Sequence, residues 1–269
     1  EAKLAGGVTF APKSIAPFGL VADLTISDFN PAPLFQALNP GQPATVEGKF
    51  TVASKLSASA ATLGELAAGT RGDFQLTSKG GVFRGLPVSV AAKNENVGKR
   101  AAGVAFVGSA FDALKGRKDD SDVTSTAKAV TEVSKMFAAI RYDQLSVVLS
   151  RDAALNTILK DFTLIAPEMR ITGGGQTAPQ AGGTLLDETM AMEFKLRARG
   201  RTGELLKILG KLDGSVDELG YAACTLPLKV GGTLGKPDTS ELNNALAVIA
   251  VEKSGMLDRS GGLLKRLIP

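Results

Sequence analysis

The stretch MAMEFKLRAR, residues 190–199, decides the fold class. Met190, Met192, Phe194, Leu196 and Ala198 take alternate positions, and Glu193, Lys195, Arg197 and Arg199 fill positions between them. Successive side chains of a strand point to opposite faces, so this is a half-buried strand with one apolar and one wet face. Such strands belong to antiparallel sheets. Strands of parallel sheets are covered on both sides and read as continuous apolar runs.

Outward from this stretch the period of two recurs. Leu20, Ala22, Leu24 and Ile26 oppose Asp23 and Thr25, and the run from Val46 to Val52 turns Glu47, Lys49 and Thr51 outward. Further strands are expected at 72–77, 82–90, 142–150, 161–171 and 225–233. Short helices are expected at 31–38 behind an Asp28 or Asn30 cap, at 61–68 before Gly69, at 203–212, and at 241–252 behind Ser240. Residues 103–114 and 122–140 carry helical spacing around the charged breaker KGRKDDSD, with Val123, Ala127, Val130, Val133 and Phe137 on one stripe. The expected fold is therefore α+β and β-dominated: curved antiparallel sheet with short helices and a helical insertion near residues 98–140. It is expected as one elongated domain over 1–269, with a lobe at about 1–92, a second at about 141–235 and C-terminal helices at about 240–268.

Composition excludes several chemistries. The 269 residues contain no His and one Cys. Imidazole-dependent triads and imidazole-bound zinc are ruled out, and Cys224 has no internal disulfide partner and reads as a small apolar residue. A net charge of +4, without a basic run interleaved with aromatics, gives no nucleic-acid signature. No apolar run is long enough to span a membrane. The chain opens on Glu1, not Met, and is expected to be a segment of a longer protein.

Each candidate motif has a plainer reading. Gly173-Gly174-Gly175 precedes a polar, Pro-containing stretch rather than a helix, so it reads as a turn or strand end, not a dinucleotide loop. The GTLGK of residues 232–236 has Val230 where a phosphate loop needs its first Gly, and Pro237 where it needs Ser or Thr. Asp119, Asp120 and Asp122 lack the Gly and distal Glu of a calcium loop. Asp187 and Glu188 read as a solvent-facing turn. No metal and no cofactor are expected.

Longer phrases resemble the C-terminal regions of AsmA-like proteins, in the AsmA/TamB group of bacterial envelope proteins. Residues 59–86 hold a short helix with Leu63, Leu66 and Gly69, then a strand, then a turn with Gly81, Gly85 and Leu86. Residues 141–175 look like a second repeat, with a turn at Arg151–Asp152 before the strand phrase FTLIAPEMRITGGG. Residues 226–246, LPLKVGGTLGKPDTSELNNAL, are similar to the closing phrase of that group, with Leu226, Pro227, Gly232, Thr233, Leu234 and Pro237 in place. Residues 98–122 fall outside the pattern. The resemblance implies a periplasmic segment of an inner-membrane-anchored parent, with the anchor outside this chain, and a role in outer-membrane biogenesis or phospholipid traffic. Its implied partners are phospholipid acyl chains or envelope proteins, not nucleic acid.

Three functions compete. The first is a non-catalytic envelope protein holding lipid on an apolar sheet face, for which Met190, Met192, Phe194 and Leu196 are the groove candidates. The second is a structural or partner-binding β scaffold without lipid. The third is a divergent carboxylate-dependent hydrolase, which needs two converging acids in a polar cleft. Whether the alternating apolar face is open or covered discriminates the first two.

Overall fold

The computed structural model describes residues 1–38, 41, 43–86, 121–183 and 185–253. The expected helix at 103–114, most of the charged breaker with Asp119 and Asp120, and the basic tail at 262–268 lie outside the described residues. The chain divides into two compact units that interleave in sequence. The first takes Glu1–Gly85, Ile140–Lys195 and Lys229–Asp238; the second takes the described residues within 86–139, 196–228 and 239–269. The expected lobes at 1–92 and 141–235 thus contribute most of their strands to a single unit.

The first unit is an unclosed antiparallel sheet, as the alternation predicts. Its strands are β1 (Ala2–Phe10), β2 (Phe18–Phe29), β3 (Val46–Ala60), β4 (Arg71–Phe83), β5 (Ile140–Tyr142), β6 (Gln144–Arg151), β7 (Thr157–Ile165), β8 (Met169–Ala178), β9 (Thr189–Ala198, in this unit to Lys195), β12 (Leu228–Thr233) and β13 (Lys236–Asp238). The order is β1-β2-β3-β4-β6-β7-β8-β9, with β12 on β9, β13 on β12, and β5 on β4. Periodicity does not announce β1, because Gly6 and Gly7 interrupt the apolar pattern, yet it pairs with β2 from Ala2↔Ile26 to Phe10↔Phe18. The phrase FTLIAPEMRITGGG is two strands, not one. Pro167 has no N–H for a ladder, and the chain turns there, with the Ala166 N–H donating to the Met169 carbonyl at 2.8 Å. The GTLGK phrase is the β12–β13 hairpin, with Gly232 at φ +80°.

Bulges bend the long strands. The register shifts between β3 and β4 at Gly48/Phe50, and between β6 and β7 at Val148/Leu149. Each gives one strand an extra residue and adds local twist. Helix α1 (Ala32–Leu38) is capped by Asn30, whose Oδ1 accepts the Ala32 N–H at 3.1 Å. Helix α2 (Leu63–Ala68) opens on a capping box: the Glu65 N–H donates to Thr62 Oγ1 and the Thr62 N–H to Glu65 Oε2.

The second unit is a small helical core beside a short sheet. Helix α3 (Ser121–Ala138) packs on α4 (Gly200–Ile208) and α5 (Ser240–Lys253). Val130, Val133 and Phe137 meet this core as the stripe predicts, joined by Leu205, Leu206, Leu242, Leu246 and Ile249, all buried. Two sequence expectations shift here. Helix α4 ends at Ile208, which is exposed, while Leu209 beyond it is buried and Leu212 opens β10 (Leu212–Val216). The cap of α5 is Thr239 rather than Ser240, since the Thr239 carbonyl accepts the Asn243 N–H. Arg197 and Ala198, at the end of β9, pair with β11 (Ala222–Cys224), which pairs in turn with β10.

Candidate functional site

Residues directly paired across an antiparallel ladder share a face, so the register of the first unit traces its apolar side strand by strand. One row runs Leu4, Leu24, Ser54, Phe74, Leu149, Leu159 and Gly175. A neighbouring row runs Ile26, Val52, Leu76, Val147, Phe162 and Gly173. The alternation read separately on each strand therefore adds up to one continuous apolar surface.

Its exposure is graded. Toward one end of the strands the face is sealed: Phe50, Leu145, Leu164 and Ile171 are buried. Toward the other end it is not. Leu20, Leu24, Val52, Leu56, Phe74, Leu76 and Leu149 are half-buried, and on β1 Leu4, Val8 and Phe10 are 71%, 57% and 62% exposed. A typical sheet core buries such residues completely; this one leaves a broad apolar area at the surface of water.

The four groove candidates separate along this gradient. Met190, Met192 and Phe194 are half-buried on the apolar side of β9, with Ala191, Glu193 and Lys195 exposed opposite them. Leu196 is 1% exposed and is core, not lining. The wet-face cations also separate. Arg197 donates to the Tyr221 carbonyl, and Arg199 donates to the Leu219 carbonyl with its guanidinium 4.2 Å from the centre of the Tyr221 ring. These two arginines serve the second unit, while Lys195 is an exposed cation of the first.

The triple glycine is the element that sequence reasoning misplaced. Gly173, Gly174 and Gly175 lie inside β8, a strand flanked by β7 and β9, and not at a turn. A Cβ on Gly173 would collide with the Glu193 carbonyl and stand 2.6 Å from the ring of Phe194; one on Gly175 would stand 2.7 Å from the sulfur of Met192. The missing side chains let Phe194 and Met192 lie across β8. The Phe194 ring then reaches Phe162, edge-on with centroids 5.2 Å apart, and Phe162 touches Phe83 at 5.6 Å. The signal was present in the pairing of a Gly-rich stretch with an apolar-aromatic strand, but it needed the β8–β9 neighbourhood to be legible.

A polar group closes one end of this face. Arg151 follows Leu149 on the apolar side of β6, opposite Thr157, which pairs Thr177. Glu188 was expected in solvent but is 3% exposed. One carboxylate oxygen takes Arg151 at 3.1 Å, and the other accepts the Thr177 hydroxyl at 2.6 Å. A buried carboxyl group left without such partners would be costly.

The opposite, polar face carries a shallow depression of about 490 Å³. Across it Asp23 pairs Lys55, Lys55 pairs Asp73, and Lys160, thrown forward by the β7 bulge, reaches Asp73 at 2.8 Å. Each carboxylate faces an ammonium, an arrangement that fixes register and does not bring two acids together. Among the described residues no group of three or more His, Cys, Asp or Glu could hold a metal. The thiol of Cys224 is part-buried, and burial pushes its pKa up to about 11. No helix among the described residues is long and apolar enough to cross a membrane. No protein-family model, curated protein or solved structure matches the chain.

Proposed function

We propose that the chain is a non-catalytic segment of a periplasmic, AsmA-like envelope protein that holds phospholipid acyl chains against the apolar face of its sheet. The observation that carries this reading is the graded exposure of one largely apolar face, from the sealed Leu164 to the open Leu4 and Val8. Each methylene removed from water contributes roughly 0.8 kcal/mol, and a sheet face without fixed polar partners accepts chains of varied length. Met190 and Met192 suit such a surface because the unbranched thioether adapts to irregular neighbours. The three phrases that resemble the AsmA-like group support the periplasmic and envelope part of the reading. Nothing in the mechanism makes or breaks a covalent bond.

The test places charge where folding is indifferent to it. Phe194 touches Phe162, so a substitution there mixes packing with binding. Leu4 and Val8 are exposed, and Leu4→Glu/Val8→Glu leaves the core untouched. The wild-type protein is expected to bind a fluorescent phospholipid, and the double variant to lose most of that binding at an unchanged melting temperature. A wild-type protein that binds no lipid would leave the β scaffold as the better account.

A further inference from the structure

We infer that β1 is an interface between two copies of this chain: their β1 strands pair antiparallel about a twofold axis at Gly6, and the chain dimerises in solution. The inference holds whatever the apolar face carries.

Among the described residues β1 has a strand on one side only, β2, and all 9 of its residues are exposed. The ladder fixes where its free backbone groups point. Glu1 and Ser27 exchange two bonds: the Glu1 amino group donates to the Ser27 carbonyl at 3.1 Å, and the Ser27 N–H donates to the Glu1 carbonyl at 2.7 Å. In an antiparallel pair such residues alternate with residues whose groups point away. Lys3, Ala5, Gly7 and Thr9 therefore bond to β2, and Ala2, Leu4, Gly6, Val8 and Phe10 turn their N–H and C=O groups outward. These outward residues stand opposite Ile26, Leu24, Ala22, Leu20 and Phe18, which puts their side chains on the apolar face.

Free edges are normally blunted against pairing by short length, bulges, Pro or charge. The terminal strand β13 has 3 residues, with Pro237 at its centre and Lys236 beside it. The terminal strand β10 has 5 residues, a register shift and Gly214 at φ +85°. By contrast β1 contains no Pro, and its one charged residue, Lys3, spends its backbone groups on β2 and its side chain on the other face.

The strand also complements itself when read backwards. With Gly6 opposite Gly6, Leu4 faces Val8 of the second copy and Ala2 faces Phe10, so a small residue meets the largest one and every outward donor meets an acceptor. A slip of two residues either way leaves Phe10 or Ala2 without a partner and sets Leu4 or Val8 against Gly6. Lys3 faces Thr9, so like charges do not meet. A twofold axis perpendicular to the sheet keeps both apolar faces on one side, and they become continuous. It also closes the assembly at two, whereas β1 on a different edge would repeat without closing.

Sedimentation equilibrium over about 1–200 μM tests the assembly. An edge contact is small, so dissociation is expected at about 10–100 μM. Val8→Pro removes one outward N–H and no bond to β2, and Val8→Lys sets a charge on the edge. Both variants are expected to stay monomeric with the melting temperature of the wild-type monomer. Engineered thiols in a Cys224→Ser background read the register without altering the edge. Lys3→Cys/Thr9→Cys opposes two thiols at a non-hydrogen-bonded position, with Cα atoms about 4.5 Å apart, within reach of a disulfide. Mild oxidation is expected to give a covalent dimer. Ala5→Cys meets its own copy only after a slip of two residues and is expected to cross-link far more slowly. A wild type that remains monomeric at the highest concentration, a dimer that survives both Val8 variants, species larger than a dimer, or faster cross-linking through Ala5→Cys would each overturn the assignment.

Discussion

The ring of Phe194 stands edge-on to that of Phe162, centroids 5.2 Å apart, across a strand whose facing residue is Gly173. The contact depends on an absence, since a Cβ at Gly173 would occupy the space that the Phe194 ring and the Glu193 carbonyl already fill. Gly173→Val is therefore expected to destabilise by about 1–3 kcal/mol, through overpacking against backbone that has no freedom to yield. Gly7→Ala is the control, because a Cβ there meets nothing within 4 Å. Urea midpoints of the two variants check this; equal midpoints would contradict it.

The Arg151–Glu188 pair gives the second prediction. Glu188→Gln keeps the shape of the side chain but leaves a largely buried guanidinium without its countercharge. Breaking one partner of a buried pair costs roughly 3 kcal/mol, while replacing both partners by apolar residues often costs little. Arg151→Met/Glu188→Leu should therefore recover most of the stability lost in Glu188→Gln. A chemical-denaturation cycle over the four proteins measures it, and a single variant as stable as the double would refute it.

The β6–β7 hairpin is held by Asp152, and its strength should follow pH. The carboxylate accepts from the Asn156 side chain at 3.2 Å, and from the Asn156 and Ala154 N–H groups at 3.0 and 2.8 Å. These bonds, the Asn156 side chain first, hold its pKa below the usual carboxylate value. A folded pKa below the unfolded one means the stabilisation is complete above the unfolded value and is lost as pH falls through the folded one. Protection of the Asn156 amide from hydrogen exchange should thus be constant near neutrality and fall below about pH 4. The same amide in Asp152→Asn should show no such step.

The strands that alternate cleanly were legible because period-two patterning records which face is covered. Leu20 to Ile26 and Met190 to Lys195 behave in the structure as their sequence says. Where the pattern misled, a nonlocal partner decides. Glu188 looks like a surface acid until Arg151 and Thr177 are brought to it, and the triple glycine looks like a turn until Phe194 is laid over it. Ser54 lies beyond the alternating run that ends at Val52, and only the register of two neighbouring strands places it between Leu24 and Phe74. The openness of the face was illegible for the same reason, since coverage depends on what packs above a strand and not on the strand's own residues.

The interleaving of the first unit has a consequence during synthesis. Hairpins β1–β2, β2–β3 and β3–β4 join neighbours in sequence and can close as soon as they emerge where the chain folds. The pairing of β4 with β6 must wait until residues beyond 140 have been made, and β12 and β13 supply the last strands from 229–238. Contacts between distant segments close late because their loop entropy must be met before any contact is gained. A nascent chain halted before β6 would present the β4 edge, with the apolar Phe74 and Leu76 beside it, to whatever strand comes first. A holding chaperone that masks extended apolar segments would therefore raise the yield of folded protein most when residues 85–140 are slow to emerge where the chain folds.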